Sequence, residues 1–345
     1  MKQMSEQTLA VRVVSSDRRK IAFLAFAWLV TGYVLVPYLA SSYVLEAILL
    51  PFLSLSLAAL GLNILTGYCG QLSLGSAAFM AVGAFAAYNI NLRLPGVPLL
   101  GSILLGGLCA AGIGVVFGLP SLRLRGFYLA VSTLAVQFFV QWVLTHFPWF
   151  SNGNPSGVIS APSLTVGPYT FDSVQGRFVF AFTIVSALTL LTTRLVASPI
   201  GSDFIAVRDN EMAARVIGVR VLHTKLFAFA LSSFVIGVAG ALWAFTYLRT
   251  VEPAGFNLDR SFQILFIIII GGLASIRGAF VGAAFMVVFP LMLSRASSLL
   301  LGTLIDSGTL EMAERMIIGM LIIVLLIKEP DGLDKLVRQL SRSRS

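Results

Sequence analysis

The sequence predicts an all-α fold, a polytopic transmembrane helical bundle of about ten spans. Of its 345 residues, 57% are hydrophobic and only 11% are charged, whereas a soluble domain carries roughly a quarter charged residues. Apolar runs such as 21–40 and 178–196 approach the length of about twenty residues that a helix needs to cross a bilayer. The runs do not alternate as barrel strands do, so helices are the form that satisfies the backbone in lipid.

The apolar runs give the order of the spans along the chain. We place them near residues 21–40, 43–66, 77–92, 99–119, 127–146, 178–196, 225–248, 261–275, 278–296 and 315–328. The third is short and runs into Asn89 and Asn91, and Arg277 separates two further short ones. Re-entrant hairpins of half-helices within 77–119 or 261–296 are an alternative that leaves the sides of both termini unchanged.

The basic residues predict the orientation of the bundle. With the N-terminus in the cytoplasm and alternating spans, most of the 24 Lys and Arg residues fall on the cytoplasmic side. The exceptions are Arg93, Arg177, Arg249, Arg260, Arg295 and Arg315. This is the positive-inside bias, so we expect both termini in the cytoplasm. The chain then divides into a cytoplasmic arm over 1–20, a membrane domain over 21–328 and a basic cytoplasmic tail over 329–345.

The net charge of +9 requires no nucleic acid as a partner, because anionic membrane lipid attracts basic segments beside a bilayer. The basic residues before 21–40 resemble the start of a secretory signal. That apolar run is longer than the roughly 7–15 residues of a signal, which favours a retained anchor. Cys69 and Cys109 show neither metal nor disulfide spacing, and we interpret both as small buried hydrophobic residues.

The motifs argue against catalysis by this chain. His146 and His223 form no zinc motif, and the sequence has no phosphate-binding loop of the Walker type. The run 70–75 resembles a nucleophile elbow, but Gln71 replaces the first glycine. Acidic residues sit at span ends and in loops, whereas ion-coupled carriers place carboxylates inside the bilayer. We therefore predict no catalytic residue, no metal and no cofactor, with energy supplied by another chain.

Two glycine-rich segments are candidates for a solute path, one over 61–75 and one that starts at Gly271. Closely spaced glycines either let helices pack closely or break a helix, so that backbone dipoles meet a zwitterionic solute near the midplane. Both interpretations stay open on the sequence. The candidate path residues are Asn63, Gly67, Gly70, Gln71, Ser73, Gly75, Gly271 and Gly272.

The cytoplasmic loop 197–224 contains a second candidate site. Residues 201–218 are predicted to form one short amphipathic helix, capped by Ser202 and ended by Gly218. Its charged residues at spacings of three and four are expected on one face. The helix is either a solvated connector on the membrane surface or a docking element, and we favour docking. The candidate docking residues are Asp203, Arg208, Glu211, Ala213, Ala214, Arg215 and Gly218.

Five motifs carry a family resemblance that covers most of the chain. They are residues 62–67 with 71–75 and Phe79, residues 126–130 with 133–135, residues 208–214 with Gly218, residues 271–275 with Gly278 and 282–283, and residues 330–333. On these motifs the sequence resembles the inner-membrane permeases of branched-chain amino acid ABC importers, the LivM type. Met212 stands where ABC permeases carry the Glu of a Glu-Ala-Ala-x3-Gly loop. Arg277 stands where relatives often have Trp or Leu, and 151–154 replaces a Thr-Gly-Gly-type turn.

The resemblance implies a transport subunit of the bacterial inner (plasma) membrane, and not an enzyme. Such a chain would pair with a second, homologous permease subunit. Two cytoplasmic ATPase subunits would bind below, and a periplasmic solute-binding protein would deliver leucine, isoleucine or valine from above. One alternative is a urea or short-amide importer built on the same permease type. Another is a stand-alone channel or facilitator, which would have no need of a docking helix.

Overall fold

The computed structural model describes residues 30–94, 96–121, 127–154, 157–166 and 169–301, together with residues 316, 317, 319, 320, 323, 332 and 333. Helices dominate these residues. In chain order they are α1 (Thr31–Leu35 and Val36–Leu39), α2 (Ser42–Tyr68), α3 (Ser76–Arg93), α4 (Leu99–Ser121), α5 (Phe127–His146), α6 (Val174–Val196), α7 (Pro199–Asp209), α8 (Glu211–Val216), α9 (Val221–Leu248), α10 (Leu258–Gly271) and α11 (Ile276–Leu301).

Seven helices in the described part of the chain are long and apolar enough to cross a membrane. They are α2, α4, α5, α6, α9, α11 and the segment Pro253–Gly271 that contains α10. This confirms the prediction of an all-α polytopic membrane protein. The arm 1–20, residues 21–29 and most of 302–345 lie outside the described residues, so the total of about ten spans stays a prediction.

The short predicted spans have different outcomes in the structure. Helix α3 forms where the third span is predicted, and neighbouring helices bury most of its side chains. Helix α4 has 23 residues and α11 has 26, so each is too long to be half of a re-entrant hairpin. Helix α10 has only 14 residues and is preceded by a 3₁₀ turn, Pro253–Phe256. Arg277 lies in the first turn of α11, not between two helices.

Helices α2 and α9 form the centre of the bundle. Helix α9 packs along α2, α3 and α4, and α2 also packs against α6, α10 and α11. Glycines in α3 and α9 allow the close approach: a side chain at Gly240 would collide with the backbone of Met80. Short distances between backbones increase the van der Waals contact that holds membrane helices together.

Four strands of two residues each, which the sequence did not predict, form two antiparallel pairs. β1 (Ile159–Ser160) pairs with β4 (Thr250–Val251), and β2 (Thr165–Val166) pairs with β3 (Tyr169–Thr170). Strand β4 comes directly after α9 in the chain, whereas α7 and α8 come directly before α9. Helix α9 has 28 residues and is about 42 Å long at 1.5 Å per residue. The loop that contains β1 and the loop that contains α7 and α8 therefore lie at opposite ends of the bundle.

Candidate functional site

The chain leaves helical geometry over residues 69–75, between α2 and α3. Cys69, Gln71, Ser73 and Gly75 are buried, whereas Gly70 and Leu72 are exposed. The buried backbone N–H groups at the start of α3 need acceptors from elsewhere. Side chains of α5 and α10 supply them. Thr133 Oγ1 accepts from Leu74 N at 2.9 Å, Ser261 Oγ from Ala77 N at 2.9 Å and Gln137 Oε1 from Ala78 N at 2.6 Å.

Gln137 also connects the break to the 3₁₀ turn before α10. Its Nε2 donates to the carbonyl of Phe256 over 2.8 Å, and its Oε1 also accepts from Ser261 Oγ at 3.2 Å. The side chain is 1% exposed, which makes its hydrogen bonds expensive to lose. The N-terminal end of α3 is thus bonded to protein in this conformation, and a solute would have to compete with these bonds.

The two glycine-rich segments meet at Asn63. Asn63 Nδ2 donates to the carbonyl of Ser275 over 2.8 Å, and Asn63 Oδ1 accepts from the amide of Ala274 over 2.9 Å. A side chain at Gly67 would collide with both Asn63 Oδ1 and the Ala274 amide. The end of α2 is therefore fixed against the turn that joins α10 to α11.

The other candidate glycines also lie at contacts between segments. Gly272 has φ +114° and forms the turn after α10, a conformation that glycine adopts without strain. A Cβ at Gly75 would lie 2.8 Å from the carbonyl oxygen of Thr133, and one at Gly271 would collide with the backbone of Gly278. The structure thus brings the predicted path residues together, with these glycines at close contacts between segments.

Gln71 and Ser73 are buried at the break. Gln71 Nε2 donates to Cys69 Sγ at 3.2 Å, and its buried Oε1 has no hydrogen-bond partner among the described residues. Ser73 Oγ accepts from Gly75 N at 3.4 Å. Gln71 also lines a cleft of about 360 Å³ that extends from the break to α7 and α8. This cleft connects the predicted path to the predicted docking loop.

The prediction of one helix over 201–218 is wrong. The loop forms two helices, α7 and α8, because Asn210 has extended backbone geometry and caps α8 with its side chain. Asn210 Oδ1 accepts from the amides of Met212 and Ala213 at 2.9 and 3.1 Å, as an N-cap residue does. Ser202 lies inside α7, whose N-cap is Ser198. The expected end at Gly218 is confirmed, since its φ of +92° follows α8.

The break at Asn210 also separates the charged residues, so the shared face predicted for Arg208, Glu211 and Arg215 is wrong. Arg208 Nη1 donates to the carbonyl of Gly67 over 3.1 Å. Glu211 forms an ion pair with Lys225 of α9, whose side chain is 8% exposed. Two of the three charges therefore contact helices of this chain, while Arg215 is exposed.

Small and acidic docking candidates are placed differently from one another. Ala214 is 1% exposed and packs inside the chain, so it is not available to a partner. Ala213 is exposed, and Asp203 lies beyond the first turn of α7, where the helix dipole has little effect on it. The most exposed apolar side chains nearby are Met212 at 64%, Val216 at 87% and Ile217 at 74%.

The opposite end of the bundle has a charged cluster that the sequence did not reveal. Arg177 is 8% exposed; it forms an ion pair with Glu46 and donates to the carbonyl of Thr246 over 3.1 Å. Arg249 pairs with Asp172 at 3.3 Å. The four charged side chains line a cleft of about 510 Å³. Each side chain comes from a different segment, so no spacing along the chain indicated the cluster.

Cys109 corrects another prediction. Cys69 is buried as expected, but Cys109 is exposed on α4, and the structure has both as free thiols. Among the described residues, no group of three or more His, Cys, Asp and Glu could hold a metal ion. The bundle of long apolar helices defines the class as a multi-pass membrane protein.

Comparison with known proteins gives the family. The sequence model of one protein family, described as the permease component of the branched-chain amino acid transport system, matches residues 44–326. The chain belongs to this family of transport permease subunits, and it is a multi-pass protein of the bacterial inner membrane. The resemblance stated from the motifs is thereby confirmed.

Several relatives are similar over much of their length. The high-affinity branched-chain amino acid transport system permease protein LivM of Escherichia coli K12 is 28% identical over 94% of this chain and 77% of that relative. Its counterpart from Salmonella typhimurium is 31% identical over 66% of this chain and 59% of that relative. The autoinducer 2 import system permease protein LsrC of Enterobacter sp. 638 is 29% identical over 68% of this chain and 69% of that relative. No solved structure matches the chain.

Proposed function

We propose that the chain forms, with a second homologous permease, the membrane path of an importer of leucine, isoleucine and valine. Two ATPase subunits bind the loop 197–224 in the cytoplasm, and a periplasmic solute-binding protein delivers the solute at the other end. The two LivM relatives support the solute class. The sequence has no nucleotide-binding loop, which assigns ATP hydrolysis to the partners.

The observation that carries the docking role is the exposure pattern of α8. A solvated connector exposes its charges and buries its apolar side chains. Here Glu211 turns inward to Lys225, while Met212, Val216 and Ile217 are all more than half exposed. Exposed apolar side chains grouped at one site are typical of a protein–protein or membrane interface. This pattern favours docking over a free connector.

The orientation of the bundle in the membrane follows from the loop that contains α7 and α8. The positive-inside bias puts α7 and α8 in the cytoplasm and the β1–β4 end outside, and both termini are then cytoplasmic. The external cleft with Arg177 and Arg249 faces the binding protein. In the path, Asn63 and the glycines hold the break in place. Gln71 is the residue that contacts the solute, because its buried Oε1 lacks a partner among the described residues and can accept from an ammonium group.

The test of docking is co-purification of the ATPases with permease variants. Val216→Glu and Ile217→Glu add a charge to the exposed apolar group, and they should abolish co-purification while leaving membrane insertion intact. Thr193→Glu is the control, since Thr193 is exposed at the same end of the bundle on α6. If the α8 variants co-purify as well as the control, α8 is not the docking surface.

The test of solute class is uptake by the complete complex in proteoliposomes. Leucine, isoleucine and valine should enter in an ATP-dependent manner. ATP-dependent entry of urea without leucine would favour the short-amide importer. Solute entry through this chain alone, without ATPases, would favour a stand-alone facilitator.

A further inference from the structure

Arg208 lies where the loop of α7 and α8 meets the break between α2 and α3. It belongs to the last turn of α7, and its Nη1 donates to the carbonyl of Gly67 over 3.1 Å. That carbonyl is in the last turn of α2, where a helix leaves its carbonyls without a partner in the helix. A cation is also the charge that a helix C-terminus favours, so the contact is favourable on both counts.

Two further contacts fix the position of Arg208. Its Nε donates to Asp209 Oδ1 over 2.9 Å. On the other side Gly70, with φ +71°, lies directly against it: a Cβ there would be 2.8 Å from Arg208 Cγ and 3.3 Å from Arg208 Cα. Helix α7 therefore touches the break through its backbone as well as through the guanidinium group, and no side chain could be added between them.

Gly67 transfers this contact deeper into the bundle. Its carbonyl accepts from Arg208, and the space that a Cβ would fill is occupied by Asn63 Oδ1 and the Ala274 amide. Asn63 in turn bonds the turn between α10 and α11 through Ala274 and Ser275. The contacts run without interruption from the exposed loop to the break and then to the start of α11.

We propose that Arg208 is a positioning residue that transmits movement of the docking loop to the break between α2 and α3. This rests on the proposed function, because an ATPase bound at α8 is the source of the movement. Arg208 acts inward, whereas Met212, Val216 and Ile217 contact the ATPase. When the Arg208 contact is removed, the complex still assembles and hydrolyses ATP. The ATPase then no longer changes the conformation of the break.

The experiment uses Cys69 as a reporter, in the complete complex with Cys109→Ser. Cys69 is buried at the break and lines the cleft toward α7. Its alkylation by a small maleimide is followed by mass spectrometry with and without a non-hydrolysable ATP analogue, and co-purification, ATP hydrolysis and leucine uptake are measured in parallel. The variants are Arg208→Gln, Arg208→Lys and Gly70→Ala, and the control is Arg194→Gln. Arg194 is exposed at the same end of the bundle, on α6.

In the parent complex and in Arg194→Gln, nucleotide should change the alkylation rate of Cys69. In Arg208→Gln and Gly70→Ala that change should disappear, and the ATP hydrolysed per leucine should rise about tenfold, which corresponds to a coupling of about 1.4 kcal/mol. Gly70→Ala tests the contact without altering charge. Arg208→Lys keeps the charge but not the planar group, and its result should be intermediate.

Several results would overturn the proposal. Nucleotide could leave Cys69 unaffected in the parent complex, which would mean that the break does not follow the ATPase. The variants could respond like Arg194→Gln, or Arg208→Gln could lose co-purification and thus be a docking contact. If Arg208→Gln does not fold, a normal response in both Arg208→Lys and Gly70→Ala also overturns it. Failure of the proposed function is a different result, since the parent complex would then not assemble with ATPases at all.

Discussion

The side-chain amide of Asn63 donates to the carbonyl of Ser275, which is 212 residues away in the chain, over 2.8 Å. Both groups are buried, and the same side chain accepts from the neighbouring amide of Ala274. One residue of α2 thus satisfies two backbone groups of the α10–α11 turn. Buried backbone groups without hydrogen-bond partners are costly, so loss of this contact should lower the free energy of unfolding by a measurable amount.

Replacing Asn63 should destabilise the protein. Asn63→Leu leaves the Ala274 amide and the Ser275 carbonyl without this partner, and we expect a loss of about 2–4 kcal/mol in the free energy of unfolding in detergent. Ser54→Ala is the matched control on α2, because Ser54 Oγ is buried and has no partner among the described residues. Equal effects of the two substitutions would contradict the structural role of Asn63.

The ion pair between Arg177 and Glu46 should be stronger than that between Arg249 and Asp172. The side chain of Arg177 is 10% exposed and that of Glu46 is 49% exposed, whereas those of Arg249 and Asp172 are 37% and 41% exposed. The difference between the pairs is therefore the burial of the Arg177 guanidinium group. Double-mutant cycles with Arg177→Met and Glu46→Gln should give a coupling of about 1 kcal/mol or more. The exposed pair should give about 0.5 kcal/mol or less. The reverse order would show that burial does not control these pairs.

Position 282, where Gly282 lies at the contact between α10 and α11, should tolerate no side chain. A Cβ at Gly282 would collide with the carbonyl of Ile267, whereas one at Gly112 on α4 would meet nothing within 4 Å. Gly282→Ala should therefore cost about 1–3 kcal/mol through overpacking. Gly112→Ala should be neutral, or stabilising by up to about 1 kcal/mol from helix propensity. Unfolding in detergent measures both, and similar values would contradict close packing at Gly282.

Labelling with a membrane-impermeant thiol reagent should reach the two loops from opposite sides. Asn152 and Ser202 are both exposed and lie in the loops at opposite ends of the bundle. In a background without Cys69 and Cys109, Asn152→Cys should react from the periplasmic side and Ser202→Cys only in inverted vesicles. Reaction of both from one side would contradict the proposed orientation.

The isolated chain should neither bind nor hydrolyse ATP. The sequence has no phosphate-binding loop of the Walker type. Hydrolysis should appear when the ATPase subunits are added. Activity of a pure preparation of this chain that survives further purification would contradict the assignment of catalysis to the partners.

The sequence by itself determined the membrane helices, the family and the turn at Gly218. These depend on local properties: the length of an apolar run, a motif of neighbouring residues, or one backbone conformation that glycine adopts easily. The helix boundaries observed for α3, α4 and α5 accordingly lie within a few residues of those predicted. The glycine-rich segments were also found as a site, although close packing and solute contact could not be told apart.

Only the tertiary structure decided how the site is assembled. Asn63 binds a turn 212 residues away, and Arg208 and Glu211 contact α2 and α9 of the same chain. Such contacts depend on which helices become neighbours in the bundle, and hydrophobic runs that face lipid on one side and protein on the other carry little information about that choice. The same holds for Ala214, a predicted docking residue that is buried within its own chain.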